Sequence, residues 1–142
     1  LSVPQEAIEK GVAYFQSCQS TDGGFGYTSS SGPNGPRTAI GCLVLALAKK
    51  KETAQFQSAF NFLKKASKSS SYYHYFLYYG SQAFFHASPE EWNAWNRENI
   101  QELKQSQNPD GSWDGQFGST FSTATSLLSL ALNYRFLPIY ER

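Results

Sequence analysis

The sequence predicts an all-α fold of stacked antiparallel helical hairpins, about six helices forming a single domain over residues 1–142. Three observations predict it. Apolar residues recur at three- and four-residue steps along alternate segments, and the segments between them are apolar on every side. A Gln-x-x-Asp-Gly-x-aromatic signature occurs twice, at Gln19, Asp22, Gly23 and Phe25 and again at Gln107, Asp110, Gly111 and Trp113. Each copy falls where one helix gives way to the next.

Helix one opens at Ser2, which can cap, with Gln5 three residues on and Pro4 where a missing N–H is harmless. It runs to about Cys18. Ile8, Gly11, Val12, Phe15 and Cys18 make its inner stripe, and Glu6, Glu9, Lys10 and Gln16 occupy other faces. A Gly- and Ser-rich loop follows, and helix two opens near Pro36 or Arg37 and runs through Ala48. Its Ile40, Gly41, Cys42, Leu43, Val44 and Leu45 leave no polar side, so burial all round is expected. Helix three, about Thr53 to Ala66, stripes Phe56, Ala59, Phe60 and Leu63 against Gln57, Asn61, Lys64 and Lys65.

Helix four, about Ser71 to Ala87, is a run of tyrosines and phenylalanines with real strand propensity, but its length without an internal Pro argues for helix. Helix five carries a capping box, Ser88 as cap, Pro89 first and Glu91 third, and its stripe is Trp92, Trp95, Asn99 and Leu103. Helix six, about Phe121 to Phe136, is small or apolar throughout, and Pro138 ends it. Amphipathic odd helices and buried even helices are what two layers of hairpins require. The hairpins span about 2–49, 53–87 and 88–138, a period near forty residues that suits helical repeat arrays. Thr38 and Ala39, before a run of leucines and alanines, are echoed by Thr123 and Ala124 before a similar run. A degenerate copy, Phe62 and Leu63 with Ser67, lies between and lacks the Gly and aromatic that should follow.

Composition narrows the function classes. The net charge of +1 supplies no field to attract nucleic acid, and Lys49, Lys50, Lys51, Lys64, Lys65 and Lys68 sit where helices end and cations favour the dipole. Apolar runs fall short of the ~18 residues that span a membrane, and no targeting segment is visible. Leu1 in place of Met leaves open a fragment of a longer protein or a processed product, so the compartment stays unassigned. Cys18 and Cys42 have no metal or redox spacing and read as small core residues, although a bond between them is geometrically conceivable. Aromatics reach 16% with no methionine, which calls for an aromatic core or an aromatic-lined groove.

Lys10, Gly11, Tyr14, Phe15 and Gln19, followed by Asp22, Gly23, Gly24 and Phe25, resemble the QW repeat of squalene-hopene cyclases and related prenyltransferase and squalene-oxidase repeat proteins. Leu103 and Gln107 through Gly111 and Trp113 resemble it again, with Glu102 where an aromatic would be expected. The resemblance implies a partial alpha/alpha toroid of the terpenoid cyclase/prenyltransferase type, in which outer helices surround inner helices lining an apolar cavity. The closing Leu137, Pro138, Ile139 and Tyr140 resemble the end of bacterial members of this group whose activity is not established. Such a likeness imports a fold and not a function.

The group's chemistry does not follow. The Asp-x-Asp-Asp acid of the cyclases is missing, and the nearest pair, Asp110 and Asp114, belongs to the repeat loop. The zinc site of the prenyltransferases would need Asp, Cys and His together, and Cys42, His74 and His86 have no spacing that joins them. The thioester of complement-like proteins needs Gly-Cys-Gly-Glu-Gln, whereas Gly41 and Cys42 run on into Leu43 and Val44. Expected, then, are no catalytic residue, no metal and no cofactor in this chain. The repeated motif reads as a structural clasp, its Asp-Gly pair making a turn, its Gln bonding orphan carbonyls of its own helix or N–H groups of the next, and its aromatic covering the Gln amide. Tyr72, Tyr75, Tyr78, Tyr79 and His74 are the candidate ligand-binding residues. The function expected is a non-catalytic module that binds another domain, a homodimer partner, or an apolar or carbohydrate ligand through an aromatic face. The alternative is part of a cyclase-, prenyltransferase- or lyase-like enzyme whose catalytic residues lie elsewhere.

Overall fold

The structure is a computed structural model and describes residues 3–66, 68 and 72–134. Ser2, Ser67, Ser71, Phe136 and the 137–140 segment, on which parts of the sequence reading rest, lie outside the described residues. Among the described residues the regular elements are six helices: α1 (Gln5–Ser17), α2 (Gly35–Leu47), α3 (Ala54–Lys65), α4 (Tyr73–Ala87), α5 (Pro89–Ser106) and α6 (Ser119–Ala131). Isolated antiparallel bridges join Gln19 with Phe25 and Phe25 with Asn34. The chain divides into two compact units, Leu1–Ser67 and Lys68–Arg142.

In the first unit α2 packs on α1 and on α3. Pro4 stands at the N-cap position of α1 rather than inside the helix, with no side-chain capping bond. Asn34 caps α2, its Oδ1 accepting from Arg37 N at 3.0 Å, so the helix begins at Gly35, one or two residues before the expected Pro36 or Arg37. Thr53 caps α3 by accepting from Phe56 N. Phe56, Ala59, Phe60 and Leu63 are all buried, as their spacing predicts. On α1 the stripe is narrower than expected. Val12 and Cys18 are buried, whereas Ile8 is 42% exposed and nothing lies within 4 Å of where a Gly11 side chain would start. Helix α2 is buried over most of its surface, but Leu47 faces outward.

In the second unit α4 packs on α5 and α6, and α5 packs on α6. Ser88 caps α5 and accepts from Glu91 N at 3.2 Å, with Pro89 at the first helical position, so the capping box is built as written. Trp92, Trp95, Asn99 and Leu103 all point into the core. Trp95 is its hub. Its ring stacks on Phe84 at 4.5 Å, meets Phe76 edge-on at 5.6 Å, and donates through Nε1 to Ser81 Oγ at 3.0 Å.

Helix α6 departs from the expectation of burial on every side. Its buried residues are Ser122, Thr125, Ser126 and Ser129, while Leu127 is 53% exposed. Three of these hydroxyls face the core by donating to backbone carbonyls three or four residues back, Ser122 to Gly118 O, Thr125 to Phe121 O and Ser129 to Ser126 O, whereas the buried Ser126 Oγ has no partner among the described residues. Their small size lets neighbouring helices approach closely.

Candidate functional site

The two signature loops fold alike. In the first, Ser20 N donates to Gly24 O at 2.8 Å and Gly23 N to Ser20 O at 3.0 Å. In the second, Asn108 N donates to Ser112 O at 2.8 Å and Gly111 N to Asn108 O at 2.9 Å. Gly23 and Gly111 take φ of +95° and +89°, a region that disfavours side chains. Asp22 accepts from Gly24 N and Ser20 Oγ, and Asp110 from Ser112 N and Oγ. These hydrogen bonds, from the serine hydroxyl first, hold both carboxyls below the usual range. An exposed carboxylate kept ionised is a turn-former and unsuited to act as an acid. Asp114 accepts from Asn108 Nδ2 in the same loop.

Each loop is closed by its aromatic. Phe25 N donates to Thr38 Oγ1 at 3.0 Å, and Trp113 N donates to Thr123 Oγ1 at 3.0 Å. Both rings are buried, and Trp113 Nε1 also reaches Leu103 O at 2.9 Å. The glutamines act differently from the expectation. Gln19 Nε2 donates forward, to Gly23 O at 3.1 Å and to Gln55 O in the first turn of α3 at 2.9 Å. Gln107 Nε2 reaches Gly111 O at 2.9 Å and stays exposed, so Trp113 does not cover it.

The aromatic face expected on helix four lies between α4 and α6. A cavity of about 260 Å³ is lined by Tyr75, Tyr78 and Tyr79 from α4 and by Phe121, Ala124, Thr125 and Leu128 from α6. At its end Tyr75 packs on Phe121 at 5.1 Å and on Phe117 at 5.4 Å, and Tyr72 lies against Phe117 at 5.9 Å. Tyr72, Tyr75 and Phe117 are exposed. None of the lining residues is charged, and burial, with Tyr78 and Tyr75 beside it, pushes the Tyr79 phenol up, so it stays neutral. The arrangement offers flat apolar rings with hydroxyl edges.

No family model, no curated protein and no solved structure matches this chain.

Of the five candidate ligand residues, the structure brings Tyr75, Tyr78 and Tyr79 to the cavity and Tyr72 to the adjoining cluster. His74 is buried elsewhere. A Cβ on Gly115 would come within 2.6 Å of its imidazole, and Tyr73 packs on it edge-on at 5.1 Å. Burial holds the His74 pKa below its ordinary value. Phe117, Phe121 and Leu128 belong to the same face but were not picked out by sequence, since nothing local to them marks a site. Cys18 and Cys42 are both buried free thiols, and burial pushes the Cys42 thiol up to about 12, which leaves it inert. Among the described residues, no group of three or more His, Cys, Asp and Glu side chains could hold a metal ion. No helix of the described residues is long and apolar enough to cross a membrane.

Proposed function

We propose that this chain is a non-catalytic helical repeat module that binds an electrically neutral ligand with an apolar face, a sugar ring or a hydrocarbon, on the tyrosine face of α4 and α6. The observation that carries it is the uncharged cavity of about 260 Å³ bordered by exposed Tyr75. Tyrosine faces are electron-rich and attract the C–H edges of a sugar or alkyl chain, while their hydroxyls serve polar edges. The paired clasp loops support the reading of the fold as part of an alpha/alpha toroid, and under that reading the face would belong to the inner layer.

Titration calorimetry of the chain with a neutral oligosaccharide and, separately, a medium-chain alcohol tests it. At least one should bind saturably, and Tyr75→Ala should weaken binding by roughly ten-fold, on the order of 1.4 kcal/mol. Heat from neither ligand, or unchanged affinity in both Tyr75→Ala and Tyr79→Ala, would sink the proposal.

A further inference from the structure

The first unit holds a cleft of its own. About 150 Å³ of space opens beside the first clasp loop, walled by Phe15, Phe25 and Ile40, with Cys18 at its base. Its rim carries Tyr14, Tyr27 and Arg37. Tyr14 is 51% and Tyr27 76% exposed, so these rings stand at the mouth rather than in the core. The Arg37 guanidinium sits over the Tyr27 ring at 5.4 Å and donates Nη1 to Gly32 O at 2.9 Å. Among the described residues no carboxylate pairs with it, and no acidic side chain lines the cleft. Four of the five guanidinium N–H donors are therefore left for something else.

The second repeat shows that the fold does not need these rim groups. Its loop closes through the same backbone and threonine bonds, yet Glu102, Gly115 and Ser122 stand where the first repeat has Tyr14, Tyr27 and Arg37. There the positions close on a flat ring of the chain's own, since a Cβ on Gly115 would meet both Ser122 Oγ and the His74 imidazole. In the first unit the corresponding place is lined by apolar walls and carries a cation at its edge instead.

We propose that this cleft binds a small aromatic carboxylate. A cavity near 150 Å³ with apolar walls takes one benzene-sized ring. A planar carboxylate on that ring matches the Arg37 fork in bidentate geometry. With one cation at the rim and no second, a monoanion is neutralised where a phosphate dianion would not be. The Tyr14 and Tyr27 rings flank the ligand edge.

Benzoate is the probe, titrated into the full chain and followed by two-dimensional amide NMR. Benzyl alcohol supplies the ring without the charge, and acetate the charge without the ring. Benzoate should shift the Phe25, Gly26, Arg37 and Ile40 amides saturably, and each partial probe should bind at least about ten-fold more weakly. Arg37→Gln should lose about ten-fold in benzoate affinity with its spectrum otherwise folded, and Tyr27→Ala, at an exposed ring, gives a second variant that leaves the core intact. Absence of cleft shifts, equal affinity in Arg37→Gln, or benzyl alcohol binding as tightly as benzoate would overturn the assignment. So would cleft shifts that follow protein concentration and not benzoate, which would put a second copy there. Failure here leaves the tyrosine face untouched, because the two sites share no residue.

Discussion

Thr38 and Thr123 hold corresponding places in the two repeats, each accepting the amide hydrogen of the aromatic that closes its loop. Both were visible as members of a repeat, but this task is a contact across thirteen and ten residues of chain. Periodicity carries no information about such a bond. Glycines make the same point, because Gly11 and Gly41 both fall on apolar stripes, yet their surroundings are opposite. A Cβ on Gly41 would meet the buried Phe25 ring at 2.5–2.7 Å, so the ring that closes the first loop would have to shift. Gly41→Ala should therefore destabilise by about 1–3 kcal/mol through overpacking. Gly11 lies mid-helix in the open, so Gly11→Ala should stabilise by roughly 0.5–1 kcal/mol through reduced backbone freedom in the unfolded chain. Urea unfolding followed by circular dichroism measures both, and a shift of the two variants in the same direction would contradict this assignment of the space around them.

Helices were legible where their ends carry chemistry and less so where burial depends on a partner. The Ser88 cap is a local bond between neighbours in sequence, so the start of α5 is legible to the residue, whereas the sequence marks the start of α3 only as about Thr53, which the structure makes its cap. The inner face of α6 could not, because hydropathy ranks leucine inward and serine outward, whereas Ser122 and Ser129 here satisfy their hydroxyls on backbone carbonyls one turn back. Helix α4 buries most of its residues but leaves Tyr75 exposed, so the burial expected on every side is incomplete and its ligand residues divide. Tyr75, Tyr78 and Tyr79 line the cavity, while His74, one residue before Tyr75 and so about 100° round the helix from it, turns toward Gly115. That burial has a measurable consequence. Because burial lowers the folded-state pKa of His74 from 6.5, the unfolded chain binds the proton more readily. Stability from this group is complete above pH 6.5 and is lost as the pH falls through that value toward the folded pKa. The urea midpoint, read by tryptophan fluorescence, should drop on acidification from about pH 7.5 to about pH 5.5. Trp92, Trp95 and Trp113 all belong to the same unit as His74, so the signal reports on the right core. His74→Gln should flatten the slope, and an unchanged slope would assign the acid sensitivity to other groups.

At the scale of the whole chain, the near-zero charge balance was plain in the composition, and it decides how the two sites should respond to salt. A net charge of +1 gives no long-range field, so salt can act only through charges within a few ångström of a ligand. The tyrosine face has no such charge among its lining residues, whereas the cleft of the first unit has Arg37. Raising sodium chloride from about 0.1 M to about 1 M shortens the Debye length from about 10 Å to about 3 Å. A neutral ligand on the α4–α6 face should then keep its affinity within about two-fold, while benzoate at the cleft should weaken by several-fold as its exposed ion pair is screened. Calorimetric titrations at the two salt concentrations measure the ratio directly. A loss of more than about ten-fold for the neutral ligand would mean that a charged group enters its contact, and the proposal of an uncharged aromatic face would have to be abandoned.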